Sequence, residues 1–216
     1  MTRARRFALL LVAGILLSAS VDSWMAWAAG PAEGGGGPGQ DIAAERELPR
    51  LDVPAGFCPV EPQRGGNHAK LWESFTPPPQ RNSKLLALEI DCATLREIET
   101  GPLRRPRSLF SVLTSPPDPR LPNSLEGALG ALETRFSRAE IASKAPVLGR
   151  DGYAVYVEQR QMGRDGRPGL AGVSAFTLWQ GKPFILNVIQ FDGEAQVPEI
   201  RTRLAATVRS LHDLSR

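Results

Sequence analysis

The chain has 216 residues, of which 26 are Lys or Arg and 23 are Asp or Glu, so its formal net charge at pH 7 is +3. That length is enough for one domain with a substantial core. The basic excess lies mostly at the N-terminus, because removing residues 1–28 leaves 23 basic against 22 acidic side chains. Specific nucleic-acid binding needs clustered Lys and Arg, so this balance argues against a DNA or RNA partner.

The N-terminal segment has the three parts of a secretory signal peptide. Arginines within Met1–Arg6 precede an apolar run over residues 7–17, and small residues lead to Ala26-Trp27-Ala28. The pattern predicts a signal peptide over 1–28 and a periplasmic or secreted bacterial protein. An uncleaved anchor is the alternative, but Asp22 interrupts the roughly 20 apolar residues that a span needs. We expect no stable membrane span after cleavage; the general secretory and twin-arginine routes both stay open.

The segment after the signal is rich in Gly and Pro and predicts a flexible linker over residues 29–49, because it cannot bury enough apolar area to offset its ordering entropy. Residues 50–216 are predicted to form a single domain. Its first elements are a hairpin over Leu51 to Val60 and a short helix capped by Asn67.

A strand is predicted over residues 84–92, where alternation places four apolar side chains on one face: Leu86, Leu88, Ile90 and Cys92. Glu89 and Asp91 fall on the other face. A helical turn follows around Leu95 to Ile98. The next strand, 108–114, is ended by Pro116-Pro117.

The clearest helix is predicted to begin at Asn123, which has capping-box spacing to Glu126 and precedes an apolar stripe that ends at Phe136. Two hairpins follow. The first joins 147–150 to 153–162 through Asp151-Gly152, and the second joins 173–179 to 184–191. The second pair is apolar at nearly every position, which predicts central strands covered on both faces. An amphipathic helix begins near Pro198.

This order predicts an α+β fold, a twisted and mainly antiparallel sheet with helices packed on it. The opening Val53-Pro54-Ala55-Gly56-Phe57, the late hairpin over 176–182 and the closing helix resemble the PsbP/Mog-like α/β/α sandwich. Extrinsic photosystem II proteins, a nuclear Ran-binding protein and many exported bacterial proteins share that fold. The resemblance implies a non-catalytic accessory or binding module, and no functional residue of those families has a matching position here.

Two cysteines, Cys58 and Cys92, are predicted to form one structural disulfide, because an exported chain leaves each only the other as intramolecular partner. A redox-active or metal-binding pair is the alternative. Neither cysteine lies in a C-x-x-C motif, and no His, Lys or Arg within four residues of Cys58 would lower the pKa of its thiol.

Few residues are candidates for chemistry. Glu89 and Asp91 place two carboxylates about 7 Å apart on one strand face, an arrangement that can serve acid–base catalysis or bind a metal. Three arginines in a proline-bounded loop can receive an anionic partner: Arg104, Arg105 and Arg107. With two distant histidines and no Cys cluster, the sequence predicts no zinc site and no cofactor.

Three functions are compatible with this sequence. The first, which the resemblance favours, is an exported non-enzymatic binding module of unknown ligand. The second is a small periplasmic hydrolase that uses Glu89 and Asp91, which would have to lie in a concave pocket. The third is an envelope stress or assembly factor that contacts another envelope protein through an exposed apolar patch.

Overall fold

The structure is a computed structural model that describes residues 51–138, 141, 145–162, 168–191 and 196–213. The predicted signal peptide and linker lie outside these residues. Seven strands form one antiparallel sheet in the order β1-β2-β3-β7-β6-β5-β4. In chain order they are β1 Phe57–Pro59, β2 Lys84–Asp91, β3 Ser108–Thr114, β4 Val147–Arg150, β5 Val155–Met162, β6 Pro168–Trp179 and β7 Lys182–Phe191.

Within the described residues, four α-helices pack on this sheet: α1 Gly66–Phe75, α2 Cys92–Thr100, α3 Leu125–Phe136 and α4 Val197–Asp213. They lie on both faces, which confirms the predicted α+β sandwich. In the described part of the chain, no helix is both long enough and apolar enough to cross a bilayer.

One face of the sheet is covered by α4, which packs on β6 and β7. The helix contributes a buried stripe that follows the spacing of one helical face: Ile200, Leu204, Val208 and Leu211. Alternate residues of β3 and β7, such as Phe110 and Leu186, face this helix and are fully buried.

The opposite face is covered by three helices. One buried cluster joins Leu71 of α1 and Ile98 of α2 to β2, β3 and β7, and a second joins Leu129 of α3 to β5. Phe176 of β6 packs against both clusters. The central strands β6 and β7 are therefore covered on both faces, as their continuous apolar sequence predicted.

The predicted alternation of β2 is wrong in its first half. A bulge between Leu85 and Ala87 shifts the register against β3. Leu85 therefore lies with Leu88 and Ile90 on the face that α1 and α2 cover. Leu86 packs instead on the α4 side. A bulge inserts one residue on one strand only, and every side chain before it changes face. Cys92, predicted on this strand, is the first residue of α2.

The predicted N-terminal hairpin is replaced by a docked segment and one short strand. Residues 51–53 form no strand. Their backbone lies on α4, where the Thr207 hydroxyl donates a 2.7 Å hydrogen bond to the Asp52 carbonyl. Only β1 pairs with the sheet, through Cys58 opposite Ile90 of β2.

Two helix starts differ from their predictions by one or two residues. Helix α1 begins after Gly65, and Asn67 is inside its first turn, where its amide donates to the carbonyls of Ile98 and Gly101. Helix α3 is capped by Ser124, whose hydroxyl accepts a hydrogen bond from the Gly127 amide. In both helices the N-cap position is occupied by a nearby residue, Gly65 or Ser124, and not by the asparagine that the sequence predicts.

The two hairpin turns differ in backbone geometry. Gln180 and Gly181 both adopt positive φ, as a tight two-residue turn between β6 and β7 requires. Gly152 has no positive φ, contrary to its predicted role. The turn before β5 is instead held by the Asp151 carboxylate, which accepts hydrogen bonds from the amides of Tyr153 and Ala154.

The predicted disulfide between Cys58 and Cys92 is confirmed. The two Cα atoms are 4.9 Å apart, within the usual range for a bridge, and no free cysteine remains. The bond joins the edge strand β1 to the start of α2. It therefore fixes the short β1, whose three residues make few pairing contacts of their own.

Candidate functional site

Asp91 lies at the end of β2 and caps α2. Its Oδ1 accepts a 2.8 Å hydrogen bond from the Thr94 amide, and its Oδ2 accepts hydrogen bonds from the amides of Arg107 and Ser108. Burial alone would raise the pKa of Asp91, but these hydrogen bonds together lower it below its usual value. Both carboxylate oxygens thus hold the start of α2 and the start of β3 together.

Glu89 is half-buried on the same strand and has a raised pKa, which burial causes. Its neighbours across the sheet are Pro59 of β1 and Phe110 of β3. Neither Glu89 nor Asp91 lines either of the two described cavities. Because Asp91 is engaged by three backbone amides, the pair gains no support as a hydrolytic acid and base.

The three loop arginines are separated from one another by their contacts. Arg104 forms an exposed 3.5 Å ion pair with Glu97, while the guanidinium of Arg105 stacks 4.3 Å from the centre of the Phe191 ring and donates to the Gly169 carbonyl. The backbone of Arg107 bonds to Asp91 and to Phe191. The loop thus connects β3 and β7 with α2. The side chains of Arg104, Arg105 and Arg107 do not line one common basic pocket among the described residues.

The histidines have structural contacts. Nδ1 of His68 accepts a hydrogen bond from the Glu61 amide, so its proton lies on Nε2, 3.2 Å from Glu99 Oε1. His212 lies 2.9 Å from the Thr177 hydroxyl, which itself donates to the Tyr153 carbonyl. Among the residues that the structure describes, no group of three or more His, Cys, Asp or Glu is placed to hold a metal.

A cleft of about 430 Å³ opens on the sheet face that carries α1, α2 and α3. Its floor is apolar and comes from the end of the central hairpin and from α3: Phe176, Leu178, Ile185 and Leu132. The ring of Phe176 is fixed by Phe136 of α3, with the ring centres 4.6 Å apart. The volume is in the range of small-molecule sites.

One wall of the cleft is the loop from β3 to α3, which contains Pro116, Pro117 and Pro119. Proline fixes φ, so this wall has few backbone conformations to lose when a ligand binds. Asp118 tightens the loop further, since its Oδ1 accepts from the backbone amide of Arg120. The wall is therefore largely formed before binding.

The rim of the cleft carries three arginines and one carboxylate: Arg81, Arg120, Arg135 and Asp118. The guanidinium of Arg120 donates two hydrogen bonds of 2.8 Å to the Asp118 carboxylate. These bonds lower the pKa of Asp118, although partial burial acts to raise it. Arg135 lies 3.8 Å from the same carboxylate. Among the described residues of the rim, three guanidinium groups stand beside one carboxylate.

Arg135 is partly buried beside other cations. Its side chain is only 22 % exposed. Burial lowers its pKa, the cations of Arg120 and Arg138 lower it further, and Asp118 opposes them. A guanidinium held partly out of water beside other cations is stabilised by an incoming anion.

The sequence predicts none of the rim or floor residues as part of a binding site. In the sequence, the proline run after β3 predicts only the end of a strand, and Arg81, Arg120 and Arg135 lie in three separate segments of the chain. The density of prolines around a single Asp-x-Arg was the one local signal that could have indicated a preformed wall. Long-range packing of α3 on β6 creates the rest of the cleft.

No protein-family model matches this chain, and no curated protein matches its sequence. Function is therefore inferred from the geometry and charge of the cleft.

Proposed function

We propose that the protein is an exported, non-enzymatic binding module whose cleft takes a small amphipathic anion. The observation that carries this proposal is the pairing of an apolar floor, which includes Phe176 and Ile185, with a described rim on which arginines are clustered. An apolar body would lie on the floor, and a carboxylate, sulfonate or phosphate group would bind the arginines. The PsbP/Mog-like resemblance, which also implies a binding module, is consistent with this role.

Export is part of the proposal. It rests on the three-part signal over residues 1–28 and is supported by the Cys58–Cys92 disulfide, because such bonds persist in oxidising compartments. A cleaved signal would leave a nearly neutral protein, with 23 basic and 22 acidic side chains.

Two features favour binding over catalysis at this cleft. The rim carboxylate, Asp118, is held by Arg120 with its pKa lowered, so it is a poor proton donor or acceptor near neutral pH. The described lining residues include no His or Cys.

A ligand of small size is favoured over a flat protein partner. Within the described ranges, only Leu103 and Met162 are exposed large apolar side chains, which is not the continuous patch that a protein interface needs. The apolar area available for binding is instead concave.

The proposal is tested with the amphipathic anion 8-anilinonaphthalene-1-sulfonate and its neutral counterpart N-phenyl-1-naphthylamine, which lacks the sulfonate. We expect saturable binding of one sulfonate probe per protein, followed by its fluorescence. Charge-assisted hydrogen bonds contribute about 1.5–3 kcal/mol each. The double variant R120Q/R135Q should therefore bind the sulfonate probe at least roughly tenfold more weakly and the neutral probe equally well.

The matched control is Arg203→Gln, which removes a guanidinium that pairs at 3.9 Å with Glu199 on the surface of α4. It should leave the affinity for both probes unchanged. Absence of saturable binding to the folded protein, or equal weakening by R203Q, would refute the proposal. Circular dichroism of each variant establishes that the fold is retained.

A further inference from the structure

A second cavity, of about 410 Å³, lies between α4 and the turn that precedes β5. One side of α4 lines it, with two arginines separated by small residues: Pro198, Arg201, Thr202, Ala205, Ala206 and Arg209. Asp151 and Tyr156 complete the lining. The cavity lies on the α4 side of the sheet, whereas the cleft described above opens on the other face.

Arg201 is held in place on two sides. Its guanidinium carbon lies 5.4 Å from the centre of the Tyr156 ring, a cation–π contact. Gly149, at φ +124°, leaves room for the guanidinium, since a Cβ at that position would stand 3.2 Å from Arg201 Nη2. The side chain is thus largely preorganised, which lowers the entropy lost on binding a ligand.

Arg209 reaches the same space from two turns further along α4. The two Cα atoms are separated by roughly 12 Å along the helix axis, at about 1.5 Å per residue. Ala205 lies between them and leaves the helix surface open. Both arginines line the same cavity, and the charge of each opposes the rise in the pKa of Tyr156 that burial and Asp151 cause.

The described lining balances the charge of the two arginines only in part. In the described part of the chain, neither Arg201 nor Arg209 has a carboxylate within 4 Å. Asp151 is occupied elsewhere: its Oδ1 accepts from the amides of Tyr153 and Ala154, and its Oδ2 accepts from the Tyr156 hydroxyl at 2.8 Å. These neutral donors orient the carboxylate without neutralising it, so the described lining holds two guanidinium groups and one carboxylate.

We propose that Arg201 and Arg209 form a binding site for a tetrahedral oxyanion of the phosphate type, held over Ala205. Planar guanidinium groups that approach from two sides match the oxygens of a phosphate group, and each donates up to two hydrogen bonds. The group can belong to a soluble phosphate or to a phospholipid headgroup. This site does not depend on the proposed cleft ligand, because the two share no residue.

The test is calorimetric titration of the protein with inorganic phosphate and with inorganic pyrophosphate at constant ionic strength. We expect R201Q/R209Q to weaken binding at least tenfold, and R209Q alone to weaken it severalfold while leaving the Arg201–Tyr156 contact intact. Arg203→Gln, on another side of the same helix, should bind both anions as the unmodified protein does. R201Q/R209Q should still bind the sulfonate probe in the cleft, which distinguishes failure of this site from failure of the cleft.

A second arm identifies the source of the phosphate group. Vesicles of phosphatidylcholine with and without phosphatidic acid are sedimented with the protein and its variants. Cosedimentation that requires phosphatidic acid, that is abolished by R201Q/R209Q and that inorganic phosphate displaces would assign a lipid headgroup; phosphate binding without cosedimentation would assign a soluble phosphate. Phosphate affinity that is the same in R201Q/R209Q and in R203Q would overturn the proposal.

Discussion

The carboxylate of Asp91 accepts a 2.8 Å hydrogen bond from the Thr94 amide, and through its second oxygen it also binds the amides of Arg107 and Ser108. One side chain thus terminates β2, caps α2 and fixes the start of β3. The lowered pKa of Asp91 means that this contribution to stability is present above the ordinary aspartate pKa and is lost as pH falls through the lower, folded-state value.

Substitution of this cap should destabilise the fold. Asp91→Ala leaves three amides without their acceptor and is expected to cost about 1–3 kcal/mol in the free energy of unfolding at pH 7. Urea denaturation measures the change. The control is Glu73→Ala, an exposed carboxylate on α1, which should change stability by less than about 0.5 kcal/mol. If D91A were as stable as E73A, the capping role of Asp91 would be wrong.

Glu89 should have the opposite effect on stability. Burial raises the pKa of Glu89, so ionisation of this side chain costs stability. The cost is absent below the ordinary glutamate pKa, grows as pH rises above that value, and is complete above the folded-state pKa. We therefore expect Glu89→Gln to stabilise the protein at pH 7 by a modest amount, because the side chain is only half-buried. The gain should vanish when unfolding is measured near pH 4. A loss of stability at pH 7 would show instead that the carboxylate has a favourable partner.

Much of the fold could be predicted because its signals are local. Continuous apolar sequence identified β3 and the β6–β7 hairpin, and helical spacing identified α3 and α4. The bulge at Leu86 could not be predicted, because it depends on the register of β2 against β3. The same holds for residues 51–53, whose docking on α4 depends on a distant hydroxyl, that of Thr207.

The candidate sites could not be predicted for a related reason. The cleft takes its arginines from the turn before β2, from the loop after β3 and from α3, so Arg81, Arg120 and Arg135 share no sequence pattern. Conversely, the sequence predicts a candidate anion site at the cluster of Arg104, Arg105 and Arg107, but these three residues contact different neighbours. Proximity in sequence indicates a shared site only where the backbone also turns the side chains toward one space.

The disulfide should contribute strongly to stability. Its cysteines are 34 residues apart, and in the chain-entropy model closing a loop of that length stabilises the fold by roughly 3–4 kcal/mol. We expect C58S/C92S to lose about that amount in urea denaturation. The unmodified protein unfolded under reducing conditions is the matched control and should lose the same amount. A difference below about 1 kcal/mol in both measurements would contradict the prediction. It would mean that the unfolded chain is already conformationally restricted without the disulfide.

Gly172 of β6 lies against the backbone of β7, and this contact leaves no space for a side chain. A Cβ at Gly172 would overlap the Val188 carbonyl oxygen and stand 2.9 Å from Ile189 Cα. Backbone atoms of a central strand cannot move away without breaking ladder hydrogen bonds, so Gly172→Ala should destabilise the protein by about 2–4 kcal/mol.

The control for this substitution is Gly152→Ala, in the turn before β5, where an added Cβ meets nothing within 4 Å and φ is not positive. That variant should be neutral or slightly stabilising, because alanine restricts the unfolded chain more than glycine does. Urea denaturation of both variants separates steric overlap from the general effect of replacing glycine. Equal stability of the two variants would mean that β6 and β7 separate at Gly172 at little cost, which the burial of their flanking residues on both faces argues against.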